Sequence, residues 1–302
     1  MNQFENRSKL ENRLKLKNRL HRQISELSVV TWDSSFRESL HWFDAMRQQS
    51  ASIAVDFNWV DYYTLSDDVK RLAALDKRFK LHTLDRPGED QWHLGHSVNA
   101  GVANSQHQWL LLTDGDIFVS DDFLDQISNL ETHPNEVTYF RRYDQPADEH
   151  HAQCTTTQSS KPDLNTLRQS CVLGNPTNFG ACALLHRDMF DAVGGYEEHL
   201  AFAGPGIASM ELNTRLRNAG AAIRWSAIPT YHPWHANTGL PNDEAEIERL
   251  FDLNRRFSWL LPYAGIEQSW ITHCRNIELD FKASIDRCND YLAALPEELQ
   301  RG

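Results

Sequence analysis

Residues 108–123 read QWLLLTDGDIFVSDDF, and the fold turns on how this stretch is understood. The apolar run from Trp109 to Thr113 is too short for an independent helix and predicts a buried strand. It leads straight into Asp114, Gly115 and Asp116, so a strand delivers two carboxylates at its end. Strand alternation is expected to place Asp114 and Asp116 on one side, with Gly115 allowing another group close to the backbone. That pair suits a hard divalent cation and its phosphate ligands, which need oxygen donors and leave coordination positions to a substrate. Alone, Asp-Gly-Asp is also an ordinary polar turn, so the surrounding chain has to decide.

Upstream the pattern alternates. Strands are predicted at 27–32, at 52–55 ending on Asp56, and at 79–84 ending on Asp85; helices are predicted at 35–48, 69–75 and 94–103. Strands separated by helices imply right-handed crossovers and a mainly parallel sheet, with ligands bound beyond the carboxyl ends of the strands. Asp56, Asp85 and Asp114 are then expected on one rim.

Downstream, residues 144–178 are polar and aperiodic, as a functional loop would be. A strand at 181–185, a short helix at 187–193, a break at Gly194-Gly195, a helix at 210–219 closed by Gly220 and a last strand at 222–225 follow. Beyond residue 242 the chain reads as largely helical. Residues 1–26 contain the near-repeat ENRSKLENRLKLKNRL and read as a basic helix whose leucines, with Ile24, fall partly in helical register. Packing on the body, self-association, or contact of residues 1–24 with anionic lipid at the inner face of a membrane are the open uses of that helix. The expected divisions are 1–26, 27–241 and 242–302.

The composition, 40% hydrophobic and 24% charged, is that of a soluble globular chain rather than a disordered or fibrous one. No apolar run reaches the roughly 20 residues of a membrane span, and the polar N-terminus lacks signal-peptide character, so a cytoplasmic location is expected. Five cysteines without CxxC spacing argue against structural zinc and a disulfide framework. A net charge of -12 argues against a nucleic-acid partner. A nucleotide can still bind if a cation supplies the neutralisation.

The order of SVVTW, the strand to Asp56, HSVNAGVANS, LLLTDGD, NFGACALLHRDMFDAVGGYEEHL, ELNTRLRNAG and YHPWH resembles the family-2 glycosyltransferases of GT-A fold. The second half is similar to the galactosyltransferase C-terminal module. The resemblance implies a nucleoside diphosphate sugar donor, a UDP-sugar first, a glycan or glycolipid acceptor, and an inverting reaction. By position it implies that Asp56 and Trp32 line the base pocket and that Asn99 and Gly101 belong to the donor-binding helix. Asp85 and Gly115 share the rim, Asp114 faces the ribose, and Asp116 holds the metal. His232 or His235 would complete the metal site, His232 being the better match. Imidazole beside carboxylate tilts the choice of ion toward Mn²⁺ over Mg²⁺.

One part of the pattern is missing. Relatives carry a Glu-Asp pair, with the Asp as general base, where this chain has Ala208 and Ser209. Neither takes a proton at neutral pH, and Glu211, about half a turn on, is the nearest carboxylate. The expectations are therefore Glu211 as substitute base, low activity, or a silent sugar-nucleotide-binding subunit.

Overall fold

The computed structural model describes residues 23–33, 39–49, 51–146, 164–198, 202–204 and 208–234. The expected basic helix at its residues 1–22, the helical segment beyond 242 and His235 lie outside that set. Ile24, counted in the helical stripe, instead precedes the first strand in non-helical backbone and is buried in the core.

Among the described residues seven strands form one sheet: β1 (Glu26–Asp33), β2 (Ala54–Asp61), β3 (Phe79–Thr83), β4 (Trp109–Asp114), β5 (Glu136–Asp144), β6 (Cys182–His186) and β7 (Ala222–His232), in the order β3-β2-β1-β4-β6-β5-β7. The pairs β3/β2, β2/β1, β1/β4 and β5/β7 are parallel, whereas β6 runs antiparallel to both β4 and β5. Among the described residues the helices are α1 (His41–Arg47), α2 (Asp67–Ala73), α3 (Leu94–Asn104), α4 (Phe123–Ser128), α5 (Leu164–Ser170), α6 (Arg187–Ala192) and α7 (Ala208–Asn218).

Strand alternation sorts the apolar residues into two cores. Leu27, Val29, Phe57, Trp59 and Leu111 meet Trp42, Phe43 and Met46 of α1, Val69 of α2, and Phe123 and Ile127 of α4. Val30, Trp32, Leu110 and Leu112 meet Val98 and Val102 of α3, Met189 of α6, and Leu212 and Leu216 of α7. Helices therefore cover both faces, as a parallel sheet requires. Among the described residues no helix is long and apolar enough to cross a membrane.

The alternating α/β reading holds, with four corrections. First, β2 does not end at Asp56 but continues for five residues to Asp61. The polar residues Asp56 and Asn58 alternate with Phe57 and Trp59, and buried partners on the polar face let the strand continue through them. Second, β5 is a full strand where none was predicted; its aromatic and β-branched run, EVTYFRRYD, pairs with β7. Third, β7 extends to His232 rather than stopping at Trp225, and α5 occupies part of the polar stretch after residue 144. Fourth, α1 begins only at His41. Gly194 and Gly195 (φ 78° and 75°) break the chain after α6, and Gly220 (φ 90°) closes α7, both as expected.

Candidate functional site

The carboxyl ends of β1, β2 and β4 lie side by side. Asp33 is in register with Asp61, and Trp32 with Asp114. The Trp32 indole N–H donates to Asp114 Oδ1 at 2.8 Å. The Ser39 amide donates to Asp33 Oδ2 at 2.6 Å, and the Tyr63 amide to Asp61 Oδ1 at 2.8 Å. Backbone donors thus help hold two buried carboxylates at the edge. A Cβ on Gly115 would stand 3.2 Å from Asp33 Oδ2, so the glycine does permit a close approach.

Beyond Asp114 the strand gives way to a turn, so strand alternation does not extend to Asp116. Asp116 is directed instead toward β7. Phe118 and Tyr231 form an isolated bridge, exchanging backbone hydrogen bonds of 2.7 and 2.9 Å, and this draws the turn against the end of β7. His232 Nε2 consequently lies 3.2 Å from Asp116 Oδ2. Its Nδ1 lies 3.2 Å from Asp144 Oδ1, the last residue of β5. Burial pulls the His232 pKa down, but Asp116 and Asp144 outweigh it and leave it raised. Burial likewise raises Asp144, whereas His232 and Arg142 hold it below the ordinary carboxylate value. Asp144, Asp33 and Asp61 were missed by sequence reasoning; the available signals were the β-rich run before Asp144 and the alternation from Phe57 to Asp61.

Asp56 does not join this edge. It sits near the amino end of β2, opposite Ser28, and accepts hydrogen bonds from Ser28 Oγ (2.5 Å), Asn58 Nδ2 (2.8 Å) and Lys80 Nζ (3.0 Å). Burial raises its pKa, but these donors outweigh burial and leave it lowered. Its expected position on the rim is therefore corrected. Asp85 does follow β3, in a left-handed conformation (φ 49°), exposed and bonded to Thr83 Oγ1.

Two residues expected at the donor site do mechanical work. Asn99 Oδ1 accepts from the Tyr196 amide (2.8 Å) while its Nδ2 donates to the Tyr196 carbonyl (2.9 Å) and to Glu198 Oε1 (2.8 Å). Gly101 lets α3 settle on the sheet, since a Cβ there would stand 2.5 Å from Val30 Cγ1. A cavity of about 580 Å³ lies on this flank, between α3 and α6, and none of the edge aspartates lines it.

The substitute base fails on geometry. Glu211 is 1% exposed and turned into the core, where both its oxygens pair with Arg215 of the next helical turn. Arg215 in turn donates to the Val193 and Gly195 carbonyls, each at 2.7 Å. A carboxylate enclosed in this way cannot meet an acceptor hydroxyl. Ala208 is buried, and the Ser209 hydroxyl bonds to the Tyr196 phenol, whose pKa burial raises.

Residues 66–194 match the family model described as Glycosyl transferase family 2. A comparison with curated proteins gave no match. Among solved structures, the chain is similar to the mannosyltransferase PcManGT from Pyrobaculum calidifontis, described in complex with GDP-Man and Mn²⁺. The two are 13% identical, with a TM-score of 0.46, over 96% of this chain and 82% of that one. The chain thus carries, from 66 to 194, a segment matching glycosyl transferase family 2, on a helix-flanked, mainly parallel sheet.

Proposed function

We propose that the chain is a glycosyltransferase that moves a sugar from a cation-bound nucleoside diphosphate sugar, a UDP-sugar first, to a glycan or glycolipid acceptor with inversion. The observation that carries this reading is the meeting of Asp116 with His232, beside Asp114, at the carboxyl edge of the sheet. The donor set fits a divalent cation. Asp116 Oδ2 and His232 Nε2 are separated by 3.2 Å, so an oxygen and a nitrogen donor converge where one cation would be held. Asp144 on the far nitrogen is the kind of partner that orients a ligating imidazole. The mixed oxygen and nitrogen donors favour Mn²⁺ over Mg²⁺. Among the described residues no group of three or more His, Cys, Asp or Glu side chains is placed to hold a metal ion. A site with two protein ligands would leave room for a substrate's oxygens.

A bound cation would neutralise the charge that the departing diphosphate gains. The chain's own residues do the rest. Asp116 and His232 would hold the cation, and Asp144 fixes the imidazole. Trp32 orients the Asp114 carboxylate toward the ribose, and Asp61 takes the rim position first expected of Asp56. The second half, with β7 carrying His232, is the part we read as galactosyltransferase-like. Residues 1–24 are proposed to bring the chain to anionic lipid at the inner face of the membrane.

A second reading, a sugar-nucleotide-binding subunit without transfer, is favoured by the enclosure of Glu211 and the lack of a carboxylate at Ala208 and Ser209. Calorimetry should find UDP or GDP bound in Mn²⁺ but not in chelator, and binding lost in Asp116→Ala; equal affinity in chelator would sink the metal assignment. Mass spectrometry after incubation with Mn²⁺ and a panel of UDP- and GDP-sugars separates the two readings. Transferred or hydrolysed sugar supports the enzyme, and binding without either supports the silent subunit.

A further inference from the structure

Trp92 is not among the residues assembled above, yet the fold sets it against Trp32. Trp32, nearly buried and tied to Asp114, stacks on Trp92 with ring centroids 4.9 Å apart and planes inclined by 27°. Trp92 itself is only partly buried. Its carbonyl accepts from the Gly204 amide at 2.7 Å, and the next residue, His93, caps α3 by accepting from the Gly95 amide. The Gln91 side chain also lies close to Gly204, so residues 91 and 92 meet the segment that precedes α7. The Trp92 backbone is therefore tied to the segment before α7, and its indole lies against the Trp32 indole beside Asp114.

We infer that Trp92 is a stacking platform for the apolar C–H face of a pyranose ring, adjoining the edge aspartates; the inference rests on the glycosyltransferase reading given above. A pyranose has an apolar face and a rim of hydroxyl donors. An indole matches the face, and a carboxylate, which only accepts, matches the hydroxyls. Sites of this kind pair aromatic walls with a few placed polar groups. An unaccompanied phosphate matches neither, because it is an anion among carboxylates. The ring is either the donor's own sugar or the terminal sugar of the acceptor, and the two arms of the experiment distinguish them.

The test uses the full chain with Mn²⁺ and the variants Trp92→Ala, Trp92→Phe and Trp92→Leu. In the first arm calorimetry compares UDP and GDP with UDP-glucose, UDP-galactose, UDP-N-acetylglucosamine and GDP-mannose. In the second, saturation-transfer NMR follows methyl glycosides of the same sugars with nucleotide bound. Stacking on the donor's sugar is expected to weaken the best nucleotide sugar about five- to tenfold in Trp92→Ala, with the bare nucleotide within about twofold. Stacking on the acceptor's sugar is expected to abolish saturation transfer to the glycoside and spare the nucleotide sugar. In either case Phe should retain most of the effect and Leu should not. Equal weakening of nucleotide and nucleotide sugar, or no change in either arm, would overturn the inference. If the alanine variant does not fold, the Phe and Leu pair decides, and Leu binding as well as Phe overturns it. A native chain that binds neither nucleotide nor nucleotide sugar defeats both readings; one that binds them and is indifferent to position 92 defeats only this one.

Discussion

Replacing Glu211 by Gln separates a structural carboxylate from a catalytic one. Both Glu211 oxygens are engaged by Arg215, and the two side chains are buried to within 1–2%. Removing one partner of a buried pair leaves an uncompensated charge, at a cost of about 3–5 kcal/mol. The Gln amide still offers one acceptor oxygen, which places Glu211→Gln near the lower end, about 3 kcal/mol. At about 2–4 °C per kcal/mol for a domain of this size, the melting temperature should fall by about 6–12 °C. Arg215→Met should cost more. It strands the Glu211 charge and also orphans the Val193 and Gly195 carbonyls, each worth about 1–3 kcal/mol. The expected order of stability is native, Glu211→Gln, Arg215→Met, measured by urea denaturation with nucleotide affinity of the folded variants in parallel. For Glu211→Gln that affinity should stay near native. A Glu211→Gln chain that melts within about a degree of native but loses sugar transfer would refute the enclosed pair and restore Glu211 as the base.

Three further outcomes follow from the same geometry. Asp144→Asn leaves the two proposed metal ligands in place but removes the charge that orients His232, so Mn²⁺ affinity by calorimetry should fall about 10- to 100-fold; unchanged affinity would remove Asp144 from the site. Gly101→Ala gains about 1 kcal/mol of helix propensity but drives a methyl into the stiff Val30 and Val60 side chains, at 2.5 and 2.9 Å, so a net loss of about 1 kcal/mol or more is expected in denaturant melts. The lowered Asp56 pKa means that its contribution to stability is present above the ordinary value of 3.8 and is lost as pH falls through the folded value. Asp56→Asn should therefore destabilise at pH 7 and lose most of its effect in acid, and a pH-independent difference would refute the linkage.

The sequence alone determined the layers and the strand end at which the site is proposed. A short apolar strand running into Asp114-Gly115-Asp116, preceded by alternating strands and helices, settles on a helix-covered parallel sheet because hydrophobic period and length are local properties. The glycine breaks at 194–195 and 220 were equally local, since each needs a positive φ. What tertiary structure decided depends on partners distant in the chain. Asp56 reads as a strand end in the sequence, yet Ser28 and Lys80, far away along the chain, satisfy it and let β2 run on to Asp61. His232 could be guessed as a ligand, but only the pairing of β5 with β7 brings Asp144 to its far nitrogen, and only the Phe118–Tyr231 bridge brings Asp116 to the near one. Glu211 looked available because it lies near the missing acidic pair. Its side chain instead meets Arg215, and hydrogen bonding to a buried guanidinium that also holds the Gly194-Gly195 turn is a tertiary condition that no spacing along α7 reveals.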